Sequence, residues 1–525
     1  MPTITFPKQA LKNYLYAELS DEELQENITL LGTDIDSFGE EISVEIFPNR
    51  PDLLSVPGLA RALNAFTKNP SRKRYQASKA QHTIHIDKSV KNVRPHTRCA
   101  IVRGLSLDEQ RIEELIQLQE KLHVTFGRQR KKAAIGMYPL EHIQLPITYQ
   151  AQKPTSIVFK PLEATTKMNA EQLLKEHPTG KKYAHLLEGH KKYPVFRDAN
   201  NTVLSVPPII NSQEAGEITS HTKEVFVEVS GHEPRVLEEA LNIICCALID
   251  MGGRVENMHH KQARKTLSTS LLEETTRVVD VDYVLLRSGI QTKTALKESL
   301  RRMDVTLEKK TLTIPPYRVD FLHDADVIED ALIGYGYDNL DSKTPQAYTV
   351  GGFSNDYLRE EKIREVLSGL QMQEVMTYAL RTEGVPLANP LTETYSHLRS
   401  ELLANSLDVL AKNLSSSYPQ RIYELGTTFK QSTDAETGVN ETHTVCATIC
   451  SEEADYTQIR QAVEALAHAL NWSIRFEEHE DKRFLTGRCA QIRGDVHGVL
   501  GEVHPQELAR RRITTPAAAF EIYRK

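Results

Sequence analysis

The 525-residue chain is poor in the groups that usually announce a cofactor or a covalent framework. It has one tryptophan and six cysteines, Cys99, Cys245, Cys246, Cys446, Cys450 and Cys489, and no C-x-x-C pair. The histidines are spread too thinly for zinc-finger spacing. Buried thiols in a reducing compartment are the expectation from this pattern; Cys446 and Cys450 fall in "TVCATIC", an alternating stretch that reads as strand. There is no apolar run approaching the ~20 residues of a membrane span, and the start, "MPTITFPKQALKNYL", lacks an apolar signal core. A cytoplasmic protein without membrane attachment is expected. An excess of positive charge is also missing: the net charge is -7 and the pI about 6.3, which argues against a simple polyanion binder and leaves only a local basic patch. No G-x-x-x-x-G-K-[ST] loop, post-strand G-x-G-x-x-G, H-E-x-x-H or G-x-S-x-G occurs. Nucleotide and hydrolase chemistry in those familiar forms is therefore excluded. Internal repeats and low-complexity tracts are absent as well.

What is present is the composition of a globular protein, 40% hydrophobic and 26% charged. A chain this long exceeds one ordinary core, so roughly three to five domains are expected. Residues 1–85 open with the strand-like "TITF". A helix starts at Ser20 with Glu23 completing a capping box, "SDEELQENITLLG". The strand "ISVEIF", a Pro48–Pro51 turn and an amphipathic helix through Leu59, Leu63 and Phe66 complete this domain. The basic, polar "TKNPSRKRYQASKAQ" reads as a linker. Residues 86–262 alternate strands ("CAIVRGL", "KAAIGMYPL", "VFVEVSG") with helices ("DEQRIEELIQLQEKLHVTFG", "VLEEALNIICCALIDMGG"), a mixed α/β domain. Residues 263–340 form a small unit of helices and a hairpin-like pair. Residues 345–525 have the order of an α+β domain with a largely antiparallel sheet. The fold class is thus α+β multidomain.

Two stretches can carry chemistry. "DFLHDADVIEDALIGYGY", starting at Asp320, places five carboxylates in its first eleven residues. A helix from about Asp326 puts Val327, Ile328, Ala331, Leu332 and Tyr335 on one side, with Asp326, Glu329 and Asp330 opposite, away from the core. Asp320 joins them from the preceding strand end. The cluster either supplies carboxylates to Mg2+ or is a solvated acidic face. The second stretch is "SVPPIINSQEAGEITSHT". Beyond its paired prolines lie Asn211, Ser212, Glu214, Ser220, His221 and Thr222, which either read a polar substrate or form a plain polar loop. In "GRQRKKAAIG", Arg128, Arg130, Lys131 and Lys132 are either RNA-phosphate contacts or a solvated basic loop.

In order along the chain, "EIFPNRPDLLSVPGLARAL", "KYPVFRDANNTVLSVPPIINSQEAGEIT", "IPPYRVDFLHDADVIEDALIGYGYDNL" and "RIYELGTTF" resemble the β subunits of phenylalanyl-tRNA synthetases of the archaeal and eukaryotic cytoplasmic type. The resemblance implies an N-terminal domain and an editing domain that hydrolyses mischarged Tyr-tRNA. It also implies a small nucleic-acid-binding-type domain and a degenerate class II synthetase-like module without an active site. It further implies an α2β2 heterotetramer with an α subunit that makes phenylalanyl-adenylate from ATP and charges tRNA(Phe). By the same resemblance, Asp320, Asp326, Glu329 and Asp330 hold a Mg2+ shared with α, while Asp324 is a surface acid. Asn211, Ser212 and Glu214 are the candidates for editing. The alternative reading is a non-catalytic scaffold or RNA-binding subunit whose editing site has decayed. Loss of the synthetic site has independent support, because "RIYELGTTFKQ" has only the strand skeleton of a class II phosphate-gripping motif, and no G-x-G-x-x-R comes after it.

Overall fold

Ser20 and Glu23 close the expected capping box at the start of helix Asp21–Leu30, so two of its otherwise unpaired amides are satisfied. The structure is a computed structural model and describes all residues except 1, 68–74, 263–264, 269, 343, 347–348 and 524–525. The chain divides into two units, residues 1–343 and 344–525.

In the first unit, strands Thr3–Pro7, Glu41–Glu45 and Asp34–Phe38 make a small antiparallel sheet, with the middle strand contributed by Glu41–Glu45. Helix Val56–Thr67 is buried along nearly its whole length. Part of the segment expected as a linker, residues 68–74, lies outside the described residues. The rest does not act as one: Ala77–Ile86 is a ten-residue strand of the next sheet. The boundary at residue 85 is therefore too late. The strand escaped notice because only Ile84 and Ile86 of its length are fully buried, leaving no clean alternation.

The second sheet has ten strands. Its path runs from Ile210–Asn211 through Val203–Val206, Tyr193–Arg197, Ile147–Gln152, Ala77–Ile86, Arg254–Gln262, His96–Arg103 and Glu224–Gly231 to Ala133–Pro139 at the edge. Lys265–Ser268 pairs back onto Arg254–Gln262, which carries this domain past the expected boundary at 262. Strand Glu224–Gly231, next to that edge, is buried on both faces. Its alternate residues serve different cores, Val225, Val227 and Val229 one and Phe226 the other, as the two-residue period of a strand requires. Helix Pro234–Asp250 packs on the first face.

Opposite Glu228 on the neighbouring strand stands Gly136. A Cβ there would lie 2.2 Å from the Tyr138 hydroxyl and 2.6 Å from Glu228 Oε1. Gly136→Ala is expected to displace one of the two and cost about 1–3 kcal/mol, read as a lowered Tm.

Residues 275–339 carry helices Val281–Ser288, Lys293–Arg302 and Asp324–Tyr335 beside strands Thr275–Val278, Thr311–Ile314 and Thr306–Glu308. Their core is continuous with that of the first domain: Leu296, Leu300, Val327 and Ala331 belong to the same cluster as Leu59 and Leu63.

The second unit is built on a seven-stranded sheet that is antiparallel except where Gln373–Glu374 joins Gln420–Gln431. Helices Asn355–Gly369 and Tyr456–Leu470 cover one core and helix Leu403–Lys412 the other. All six cysteines are free thiols and buried. Among the described residues no helix is long and apolar enough to cross a membrane.

Candidate functional site

A cavity of about 550 Å³ opens between edge strand Ala133–Pro139, helix Glu109–Val124 and the Pro207–Asn211 turn. Its floor is polar. Glu228 is 2% exposed and lines it together with Ser205, itself 1% exposed, and Asn211. The Tyr138 hydroxyl lies 3.2 Å from Glu228 Oε1 and 3.3 Å from Asn211 Oδ1, and its one proton can serve either. Glu228 Oε2 has no hydrogen-bond partner. Burial pushes the Glu228 carboxyl up to about 8, against the smaller opposing effects of the Arg94 charge and the Tyr138 hydrogen bond. At neutral pH Glu228 is therefore mostly a neutral acid, able to donate one hydrogen bond and accept another. Such a group on the floor of the pocket suits a ligand hydroxyl.

The opposite wall is held by Arg130. Its guanidinium donates to the Ile209 carbonyl at 2.7 Å and to Glu120 at 2.9 Å, and lies 4.4 Å from the Tyr183 ring centre. Glu120 also meets His123 Nδ1 at 3.0 Å, while His123 Nε2 accepts from the Ile135 amide at 2.8 Å, which places the ring proton on Nδ1. The exposed Lys182 stands at the rim.

Of the three residues proposed from sequence for editing, only Asn211 lines the cavity. Ser212 is fully buried, and its Oγ accepts from the Glu214 amide at 3.1 Å to cap the short turn Gln213–Ala215. Glu214 is ion-paired with Lys167 and does not line the cavity. Thr222 closes a local turn with the Thr219 amide, and Lys132 stands 3.7 Å from Glu233. Glu228 was missed because an acid in "VFVEVSG" reads as the wet face of a half-buried strand. The usable signal was the apolar run Val225–Val227 before it and Val229 after it.

The acidic helix starts two residues earlier than expected, at Asp324, with His323 as its cap. Asp326 completes that cap: its Oδ2 accepts from the Leu322 and His323 amides at 2.7 and 2.6 Å. Asp324 meets Arg277 at 3.3 Å. Glu329 is exposed. Asp330 corrects the helical-face reading, being buried rather than turned to solvent. Arg318, two residues before Asp320, draws it inward. The Arg318 Nη2 donates to Asp330 Oδ2 at 2.7 Å and to Asp320 Oδ2 at 2.7 Å, while Nε donates to Asp320 Oδ1 at 2.9 Å. Burial pushes the Asp320 carboxyl up, but Arg318 outweighs it and leaves the group below its ordinary value. Burial wins at Asp330, which stands at about 6. Among the described residues no group of three or more His, Cys, Asp or Glu is arranged to hold a metal. Asp320, Asp326, Glu329 and Asp330 do not fit a Mg2+ centre in this chain, since a guanidinium and a helix cap take up three of the four.

The antiparallel unit, the small helical domain and the N-terminal sheet each match a known domain of one class of protein, the aminoacyl-tRNA ligases. Residues 340–523 match the phenylalanyl-tRNA synthetase β chain CLM domain, residues 278–337 the tRNA synthetase B5 domain, and residues 1–69 the Phe-tRNA synthetase β subunit B1 domain. The phenylalanine–tRNA ligase β subunit of Archaeoglobus fulgidus is 35% identical, covering 99% of this chain and 98% of the relative. That of Pyrococcus horikoshii is 32% identical over 100% of this chain and 99% of the relative. An N-terminal fragment of the β subunit from Pyrococcus horikoshii superposes with a TM-score of 0.61 at 33% identity, covering 64% of this chain and 99% of the fragment. The chain belongs to the phenylalanine–tRNA ligase β subunit family and is a ligase subunit.

Proposed function

We propose that this chain works with an α subunit, as an α2β2 heterotetramer in the cytoplasm, to attach phenylalanine to tRNA(Phe) at the expense of ATP. We further propose that its own chemistry is the hydrolysis of mischarged Tyr-tRNA. The synthetic site, with ATP and the Mg2+ that accompanies it as substrate, belongs to the α chain. In residues 344–525 the large apolar side chains Val350, Phe353, Met376, Tyr378 and Leu391 are exposed, which supports a covering partner. The editing reading rests on one observation: Glu228, a buried and mostly neutral acid with one oxygen unpaired, ends a cavity large enough for an aromatic side chain. A tyrosyl hydroxyl completes that oxygen, whereas a phenylalanyl ring leaves it unpaired and desolvated. A site built to bond a hydroxyl discriminates strongly against the ligand that lacks one.

With the α subunit present, Phe-dependent ATP–pyrophosphate exchange is expected, and none with this chain alone. Absence of exchange in the intact complex would overturn the ligase role. Within the complex, Asn211→Ala is expected to slow Tyr-tRNA deacylation by about tenfold, the loss of one hydrogen bond to the floor. Glu214→Ala is expected to leave that rate unchanged. A rate assay on purified Tyr-tRNA separates the two.

A further inference from the structure

Asp320 and Asp330 lie in a seam of arginines that runs between the first domain and the helical domain. Arg50 and Asp52, from the turn before helix Val56–Thr67, form a two-pronged pair at 2.9 and 2.8 Å, and both are buried. Across the seam Arg318, with no side-chain exposure, grips Asp320 in the same two-pronged manner and Asp330 through one nitrogen. Its Nη1 donates to the Met303 carbonyl at 2.9 Å. The two pairs act on each other: burial and the neighbouring Arg318 charge oppose the Arg50 charge, which Asp52 and, more weakly, Asp320 hold, while Asp52 adds weakly to Asp320 and Asp330 in holding the charge of Arg318 against burial. Two further arginines bridge the same seam. Arg302 donates to the Phe66 carbonyl at 3.0 Å and the Gly334 carbonyl at 2.7 Å, with its guanidinium 4.1 Å from the Phe66 ring centre. Arg61 pairs with Asp250 at 2.7 Å and lies 4.1 Å from the Tyr317 ring centre.

We propose that Asp320 and Asp330 are the counter-ions of Arg318 in a buried seam that locks the first domain to the helical domain, and that neither is a ligand of a divalent metal. A guanidinium already satisfies three of their oxygens at hydrogen-bond distance. Magnesium would need those oxygens at about 2.0–2.1 Å in octahedral array with several waters. A second cation at these oxygens would also meet the charges of both Arg318 and Arg50, which already act on Asp320 and Asp330. The planar fork of arginine fits paired carboxylates as a compact metal ion does not. Asp320 and Asp330 are thus spent on domain architecture, while Asp326 caps its own helix and Glu329 is exposed on it.

The test uses the complete α–β complex, freed of loosely held ions by gel filtration without ATP. Magnesium content is measured for the wild type and for Asp330→Asn, and hydrogen–deuterium exchange is followed with MgCl2 and with EDTA. Equal magnesium content in the two proteins, and no change in exchange over residues 318–332 on adding EDTA, are expected. One more magnesium ion per β chain in the wild type, or lost protection of 318–332 in EDTA, would overturn the proposal. Asp52→Asn supplies an arm away from the acidic helix. Its exchange should rise on the order of tenfold or more over both residues 48–56 and 318–332. A rise confined to 48–56 would equally overturn it, and this arm decides the matter if Asp330→Asn does not assemble.

Discussion

Glu228→Ala is expected to slow hydrolysis of Tyr-tRNA by the intact complex at least ~100-fold, with Phe-tRNA synthesis unchanged. The size comes from the placement. Removing a preorganised donor that meets the substrate in a dry site costs about 2.7–4 kcal/mol, and Glu228 is the acid on the floor, with one oxygen unpaired. Glu228→Gln separates recognition from charge. The amide keeps a donor and an acceptor, so it should retain more deacylation than alanine does, and a glutamine as inactive as alanine would show that the proton itself is used. Stability gives a second readout that needs no substrate. The folded-state value of Glu228 stands at about 8, raised by burial from an ordinary 4.5. The folded chain therefore keeps a proton that the unfolded chain has lost. Its contribution is whole below pH 4.5 and declines as pH rises toward 8, by about 1.4 kcal/mol per unit where only the folded form is protonated. Glu228→Gln should remove that slope from the unfolding transition of residues 1–343; a slope unchanged by the substitution would mean that the carboxyl is ionised in the fold.

The elements that were legible in the sequence are those whose pattern is self-contained. Ser20 and Glu23 name their own helix start, and "TVCATIC" alternates as a strand. The site was only partly legible, for a physical reason: a carboxylate's role depends on what stands opposite it. Asp326 and Asp330 carry the same side chain four residues apart, yet one caps a helix and the other lies under Arg318. Glu228 faces Tyr138 across two strands ninety residues apart in sequence, so no local spacing could reveal the pair. Of the polar residues just after the Pro-Pro break, Asn211 lines the cavity, whereas Ser212 caps the next turn and Glu214 pairs with Lys167, a division that the shared local pattern does not reveal.

Breaking the buried pair in the second unit is the other large effect to be expected. Arg399 and Glu424 are 5% and 2% exposed, with Nη1 2.7 Å from Oε1. Thr377 Oγ1 approaches both Glu424 oxygens, at 2.9 and 2.8 Å, and accepts in turn from Asn405 Nδ2 at 2.7 Å. Arg399 Nε donates to the Thr427 carbonyl at 2.8 Å. Glu424→Leu leaves a guanidinium buried without a counter-charge, at a cost of about 3–5 kcal/mol. For a unit of this size that is a fall in Tm of roughly 6–20 °C, read on the unfolding transition of residues 344–525. The double substitution Arg399→Met, Glu424→Leu removes both charges and should recover most of the loss, because a well-packed apolar pair can replace a buried ion pair at little cost. The same network accounts for Gly426, where a Cβ would stand 2.1 Å from Arg399 Nη2. Within "RIYELGTTF", then, Glu424 anchors an internal arginine, Gly426 makes room for it, and Tyr423 is buried in the core. If the double variant were as unstable as Glu424→Leu alone, the cost would lie in lost packing, and Glu424 would have to be read as something other than the partner of Arg399.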